Sequence, residues 1–96
     1  MKRKTDQQKL KEFLTLFDED ILVVDGQEDA FMGVANMPKV GYVAVYSSTA
    51  IIENLMKNDL MDFATAEEFF HYNIMNNYVG AKTPIFLDIV PDCFWK

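Results

Sequence analysis

At 96 residues, half of them apolar and 14% aromatic, the chain is the size of one small domain and carries enough apolar material to bury a core without covalent staples. Its one cysteine, Cys93, excludes an intrachain disulfide framework and a multi-cysteine zinc site, which fits a reducing, cytoplasmic compartment. Five of the nine cations fall within the first 11 residues, so residues 12–96 hold 4 basic and 14 acidic residues, a net charge of −10; such a body repels phosphate backbones and disfavours direct nucleic-acid binding.

The basic N-terminus runs into the polar stretch TDQQK instead of an apolar signal core, and no window approaches membrane-spanning length, so neither secretion nor a membrane partner is expected. Leu10, Phe13, Leu14 and Phe17 then recur at i, i+3, i+4, i+7, the stripe of an amphipathic helix starting near Thr5 or Asp6. Asp18, Glu19 and Asp20 oppose the negative end of a helix dipole and mark its exit. Three apolar runs follow and read as strands: Ile21 to Val24, Phe31 to Ala35 and Val40 to Tyr46. Their short connectors, rich in Gly, Asn, Asp and Pro, predict an antiparallel meander.

Ser47 and Ser48 are N-cap candidates for a second helix whose apolar face is Ile51, Ile52, Leu55 and Met56, fading at Asn58-Asp59. Thr65-Ala-Glu-Glu68 has the form of a capping box, which predicts a third helix with Ala66, Phe69, Phe70, Asn73, Ile74 and Asn77 along one side and Gly80 as its stop. The run Ile85 to Val90, bracketed by Pro84 and Pro91, reads as a fourth strand. The expected fold is a single α+β domain, α-β-β-β-α-α-β, in which helices cover one face of a four-stranded, mainly antiparallel sheet. Residues 1–5 and 91–96 are expected to be flexible ends.

Four motifs carry a resemblance. DG-x-x-DA-x-x-G at 25–33, AVY at 44–46, EEFFHYN at 67–73 and YVGAKTPIF at 78–86 resemble a family of small uncharacterised proteins encoded by phages, prophages and plasmids, over roughly residues 20–87. The chain departs from that pattern at Ser47, where aspartate is common, and at Leu60, where glycine is common. The N-terminal helix and the tail PDCFWK also look like additions to the pattern. The resemblance implies a mobile-element setting in a bacterial host cell and supplies no catalytic residues.

The acidic connector Asp25 to Ala30 is the first candidate site. Asp25, Glu28 and Asp29 have neither the length nor the alternation of a calcium loop. Gly26 there permits a positive φ and the aspartates can bond to their own turn, so a plain structural bend explains the residues as well. Glu67 and His71, one helical turn apart, supply only two of the ligands a zinc site uses and read as a solvated pair. No signature joins Ser47, Ser48 or Cys93 to His71 as nucleophile and base, and the four glycines form neither a P-loop nor a dinucleotide fingerprint. No cofactor, metal or catalytic residue is expected.

Eight Phe, four Tyr, one Trp and six Met exceed the needs of a modest core, and Tyr72, Met75 and Tyr78 are placed as interface anchors. Two readings follow. In the first, the chain is a non-catalytic phage-like accessory protein that binds a host or phage macromolecule, such as a nucleic-acid-binding defence nuclease it would inhibit. Asp25, Glu28, Asp29, Asp59 and Asp62 steer association and Tyr72, Met75 and Tyr78 hold it. In the second, a small ligand or substrate sits between sheet and helices near Asp25, Asp29, Tyr46 and Asn73. The tail aromatic Trp95 would be covered by folding back or by a second copy, which adds a homodimer to the expectations.

Overall fold

The computed structural model describes residues 4–24, 26–77, 80–90 and 92–95. Helix α1 spans Lys4–Thr15, strands β1 and β2 span Phe31–Met37 and Gly41–Ser47, helix α2 spans Ser48–Asn58 and helix α3 spans Phe63–Phe69. A π-helical segment, Phe70–Met75, continues α3, and a short strand β3, Ile85–Leu87, follows. Single 3-10 turns occupy Glu28–Ala30 and Asp92–Trp95. The protein is therefore α+β, with one mixed sheet in the order β1-β2-β3.

The sheet corrects the expected one in two ways. Its outer pairs differ in direction: β1 and β2 are antiparallel, while β2 and β3 are parallel, with Tyr46 opposite Phe86. Between β2 and β3 the chain passes through both α2 and α3, and a crossover of that length returns the strand in the same direction. The sheet also has three strands and not four, because Ile21 to Val24 joins no ladder. There the Val24 N–H donates to the Tyr46 hydroxyl at 2.9 Å, so a side chain on the central strand takes a backbone donor that a neighbouring strand would otherwise have satisfied. The expected continuation of the last strand to Val90 stops at Leu87.

The β1–β2 hairpin closes through Pro38, Lys39 and Val40, with the Val40 N–H donating to the Met37 carbonyl at 3.1 Å. Proline sets φ for the first turn position, and Lys39 at φ 68° takes the left-handed second position. A bulge between Phe31 and Gly33 lets both sides of the ladder stay in register up to Tyr46.

Helix α2 is bracketed by Ser47 and Leu60. Ser47 is its N-cap, the Oγ accepting from the Ala50 N–H at 3.1 Å; an aspartate would cap in the same way. Leu60 lies just past the C-cap Asp59 with φ 57°, the left-handed position that glycine fills without strain at helix ends.

One apolar cluster holds the molecule: Ala30, Ala44, Tyr46, Ile51, Leu55, Ala66 and Phe70, all buried. Ring contacts extend it. Tyr46 meets Phe31 at 5.7 Å and Phe86 at 6.2 Å between centroids, and Phe70 meets Phe86 edge-on at 5.3 Å. Helix α1 joins through Phe13 against Phe31 and Phe17 against Tyr42. Its exit loop is tied down by an ion pair between Asp18 and Lys82, which sits against Gly41. A Cβ at that glycine would lie 3.4 Å from the Lys82 Nζ and force a φ of 105° on a larger residue.

Candidate functional site

The acidic turn is built as a strut. Gly26 takes a positive φ of 85°, its N–H donates to the Glu28 carboxylate at 3.1 Å, and the 3-10 turn follows. From α2, the Asn54 Nδ2 donates to Asp29 Oδ1 at 2.7 Å and to Gln27 Oε1 at 2.9 Å. One carboxamide thus ties the turn to the helix, and Ala30 behind it is buried in the core. Asp25, the remaining acid expected here, lies outside the described residues.

A second acidic region lies at the corner between α2 and α3. Asp62, not Thr65, caps α3: its Oδ1 accepts from the Thr65 N–H at 2.8 Å, and the Asp62 carbonyl accepts from the Ala66 N–H at 2.9 Å. The sequence contains both an Asp-x-x-Thr and a Thr-x-x-Glu pattern; starting at the earlier one adds Phe63 and Ala64 to the helix while burying Ala66. The Thr65 N–H, and secondarily its hydroxyl, hold the Asp62 carboxyl below its ordinary value. Asp59 caps the end of α2 through its N–H to Leu55.

Around these caps the apolar residues are open. Leu60 is 87% exposed, Phe63 56%, Tyr72 72% and Met75 40%. Glu67 and Glu68 are exposed on the same helix. Phe69, expected on the core side, is 38% exposed, whereas its neighbour Phe70 is 1% exposed. Phe70 follows the buried Ala66 by four residues, so helical spacing aims it at the core, with Ile74 half-buried four residues on, while Phe69 and Tyr72 stand off that line. Asp59 and Asp62 thus sit at the α2–α3 corner, Tyr72 and Met75 are exposed farther along on the π segment, and Glu28 and Asp29 belong to the separate strut. Tyr78 lies outside the described residues.

A cavity of about 360 Å³ opens behind the π segment. Leu22, Val24, Ile74 and Phe86 form apolar walls, and Asn73 and Asn77 supply polar groups. Of the described residues expected around a small-ligand site, Asn73 lines it and Asp29 and Tyr46 do not; Asp25 lies outside the described residues. Asp29 is held on α2 and the Tyr46 hydroxyl accepts from Val24. Asn77, placed beside Asn73 by its spacing, was not named as a site residue, and the wall at 22–24 was missed because an apolar, Val-rich run reads as a strand.

Among the described residues no three His, Cys, Asp or Glu side chains converge to hold a metal ion, and no helix is long and apolar enough to cross a membrane. Comparison with protein-family models, with curated proteins and with solved structures finds no match.

Proposed function

We propose that this protein works by binding a basic partner protein, not by turning over a substrate, and that the partner docks on the corner formed by residues 59–75. The observation that carries this reading is that one stretch of chain, residues 60–72, exposes Leu60, Phe63 and Tyr72 by more than half together with the carboxylates Glu67 and Glu68. Open aromatic and aliphatic groups rimmed by charge have the make-up of a docking surface, where the apolar groups hold the complex and the charges steer its approach.

The motif resemblance places this reading in a phage, prophage or plasmid, acting in the cytoplasm of a bacterial host. The partner would be a host or phage protein. A nucleic-acid-binding defence nuclease fits best by charge, since its basic surface complements an acidic body, and occupying that surface would inhibit it. Glu28 and Asp29 are engaged within the protein, so the steering role passes chiefly to Glu67 and Glu68.

Recovery of one stoichiometric protein from a bacterial lysate on the tagged chain identifies the partner, and association kinetics then test the surface. Reversing Glu67 and Glu68 to lysine is expected to slow association by about threefold to tenfold at low salt, with the difference shrinking as salt rises. Tyr72→Ala is expected to act on dissociation. An association rate indifferent to salt and to both charge reversals removes the steering mechanism, and turnover of a small substrate removes the whole reading.

A further inference from the structure

We propose that the cavity behind the π segment binds an uncharged planar heterocycle of the nucleobase or nucleoside class. Its lining shares Asn73 and Ile74 with the segment 59–75, but Leu60, Phe63, Glu67, Glu68 and Tyr72, the exposed groups of the docking corner, are not part of it. At about 360 Å³ it falls within the range of small-molecule pockets, and its make-up of apolar walls with a few polar groups is the one such pockets share.

The ligand class follows from three features of the lining. No ionisable side chain is among the described residues around it, so a charged ligand entering it would lose hydration without gaining a partner. An anion would in addition meet the field of a chain carrying net −6. The walls include the aromatic ring of Phe86 and the apolar, compact ring of Pro84, and an aromatic wall suits the π-face of a planar ligand better than a branched aliphatic one.

The polar groups are two carboxamides. The Asn73 Nδ2 donates to the Phe69 carbonyl at 3.3 Å, which orients the amide and leaves its Oδ1 and second N–H for other work. Asn77 follows four residues later, just past the π segment. A carboxamide presents a donor beside an acceptor, the pattern that pairs with the adjacent donor and acceptor on a base edge. Thr83, also in the lining, directs its hydroxyl onto the Gly80 carbonyl at 2.6 Å and is occupied in the loop that shapes the mouth.

The test is calorimetric titration of the full chain with adenosine, guanosine, cytidine, uridine and adenosine monophosphate. At least one nucleoside is expected to bind saturably and to raise the melting temperature by mass action. The monophosphate of adenosine is expected to bind more weakly than adenosine. Asn77→Ala is expected to weaken binding by about tenfold, the worth of a lost hydrogen bond of good geometry, with little change in melting because Asn77 is exposed. Leu22→Trp, at an exposed wall position, fills the space and is expected to abolish binding in a protein that still melts cooperatively. Failure of all four nucleosides to bind at millimolar concentration overturns the proposal. So does a monophosphate that binds as well as adenosine, or binding that survives both substitutions. Phe63→Ala, at the partner-docking corner, is expected to leave nucleoside binding unchanged, so failure at either surface can be told from failure at the other.

Discussion

The five-residue strut at Gly26–Ala30 and the longer corner at Asp59–Met75 are both acidic, yet they end differently. In the strut the Glu28 and Asp29 carboxylates are taken by a glycine N–H and by Asn54. At the corner Asp62 is taken in the same way by Thr65, but the acids beyond it, Glu67 and Glu68, sit on a helix whose own backbone is already satisfied. An acid near a turn or a helix start is recruited by donors that the backbone leaves open. One placed a full turn into a helix faces solvent. The difference assigns structural work to the first group and leaves the second available for a partner.

The largest expected effect separates buried from open aromatics within the corner itself. Phe70→Ala removes a ring that is 1% exposed and packed against Phe86, and should cost about 3–5 kcal/mol. Tyr72→Ala, two residues on, should stay within about 0.5 kcal/mol of the parent. Urea unfolding of both variants measures the contrast. Equal losses would mean that Tyr72 is part of the core and would remove it from the docking surface.

How much of this was legible beforehand varied by element. The β1–β2 hairpin and α2 were readable because turn chemistry and a clean apolar period act locally. Asp25 to Ala30 was weighed as a bend, and Gly26 adopts the positive φ that bend required. The run Ile21 to Val24 misled because β-branched residues also suit an extended segment held by a single side-chain bond, and only the tertiary fold puts the Tyr46 hydroxyl at Val24. Asn73 and Asn77 were placed on one side of the third helix by their spacing, but Asn73 alone was singled out for a ligand, because the wall at 22–24 that closes the cavity with them was read as a strand.

Asn54→Ala tests the strut. It removes the Asn54 bonds to Gln27 and Asp29 and should cost about 1 kcal/mol, visible as a melting temperature lower by roughly 4–8 °C for a domain of this size. Charge reversal at Glu67 and Glu68 should move melting far less. The reverse ranking would exchange the roles assigned to the two acidic regions.

Acid should act through the carboxylates held by the fold. The Lys82 ammonium, then the Asp20 N–H, hold Asp18 below its ordinary value of 3.8, and the Thr65 N–H does the same for Asp62. A carboxyl whose folded value lies below its unfolded one binds fewer protons in the folded state. Its contribution is therefore full above about pH 5, roughly a unit over the unfolded value, and is lost as pH falls through the lower, folded value. Melting temperature is expected to be flat from neutrality to about pH 5 and to drop below it, with a shallower drop in Asp18→Asn and Asp62→Asn. A drop that begins near pH 6 would point to another group.

The smallest stability effect belongs to Leu60, and it bears most directly on function. A leucine at φ 57° carries the left-handed strain that a side chain with a Cβ incurs, and at 87% exposure it recovers almost nothing by burial. Leu60→Gly removes that strain while loosening the unfolded chain, so the two terms partly cancel to a net gain of about 0.5 kcal/mol, or roughly 2–4 °C in melting. Leu60→Asn, which tolerates the same backbone with less unfolded freedom, should gain slightly more. If the side chain serves the fold, both variants would be less stable than the parent. If it serves the docking corner, both should melt higher and release the partner faster. That opposite movement of stability and residence time is the signature expected at Leu60, and two variants that stabilise without any change in dissociation would remove it from the interface.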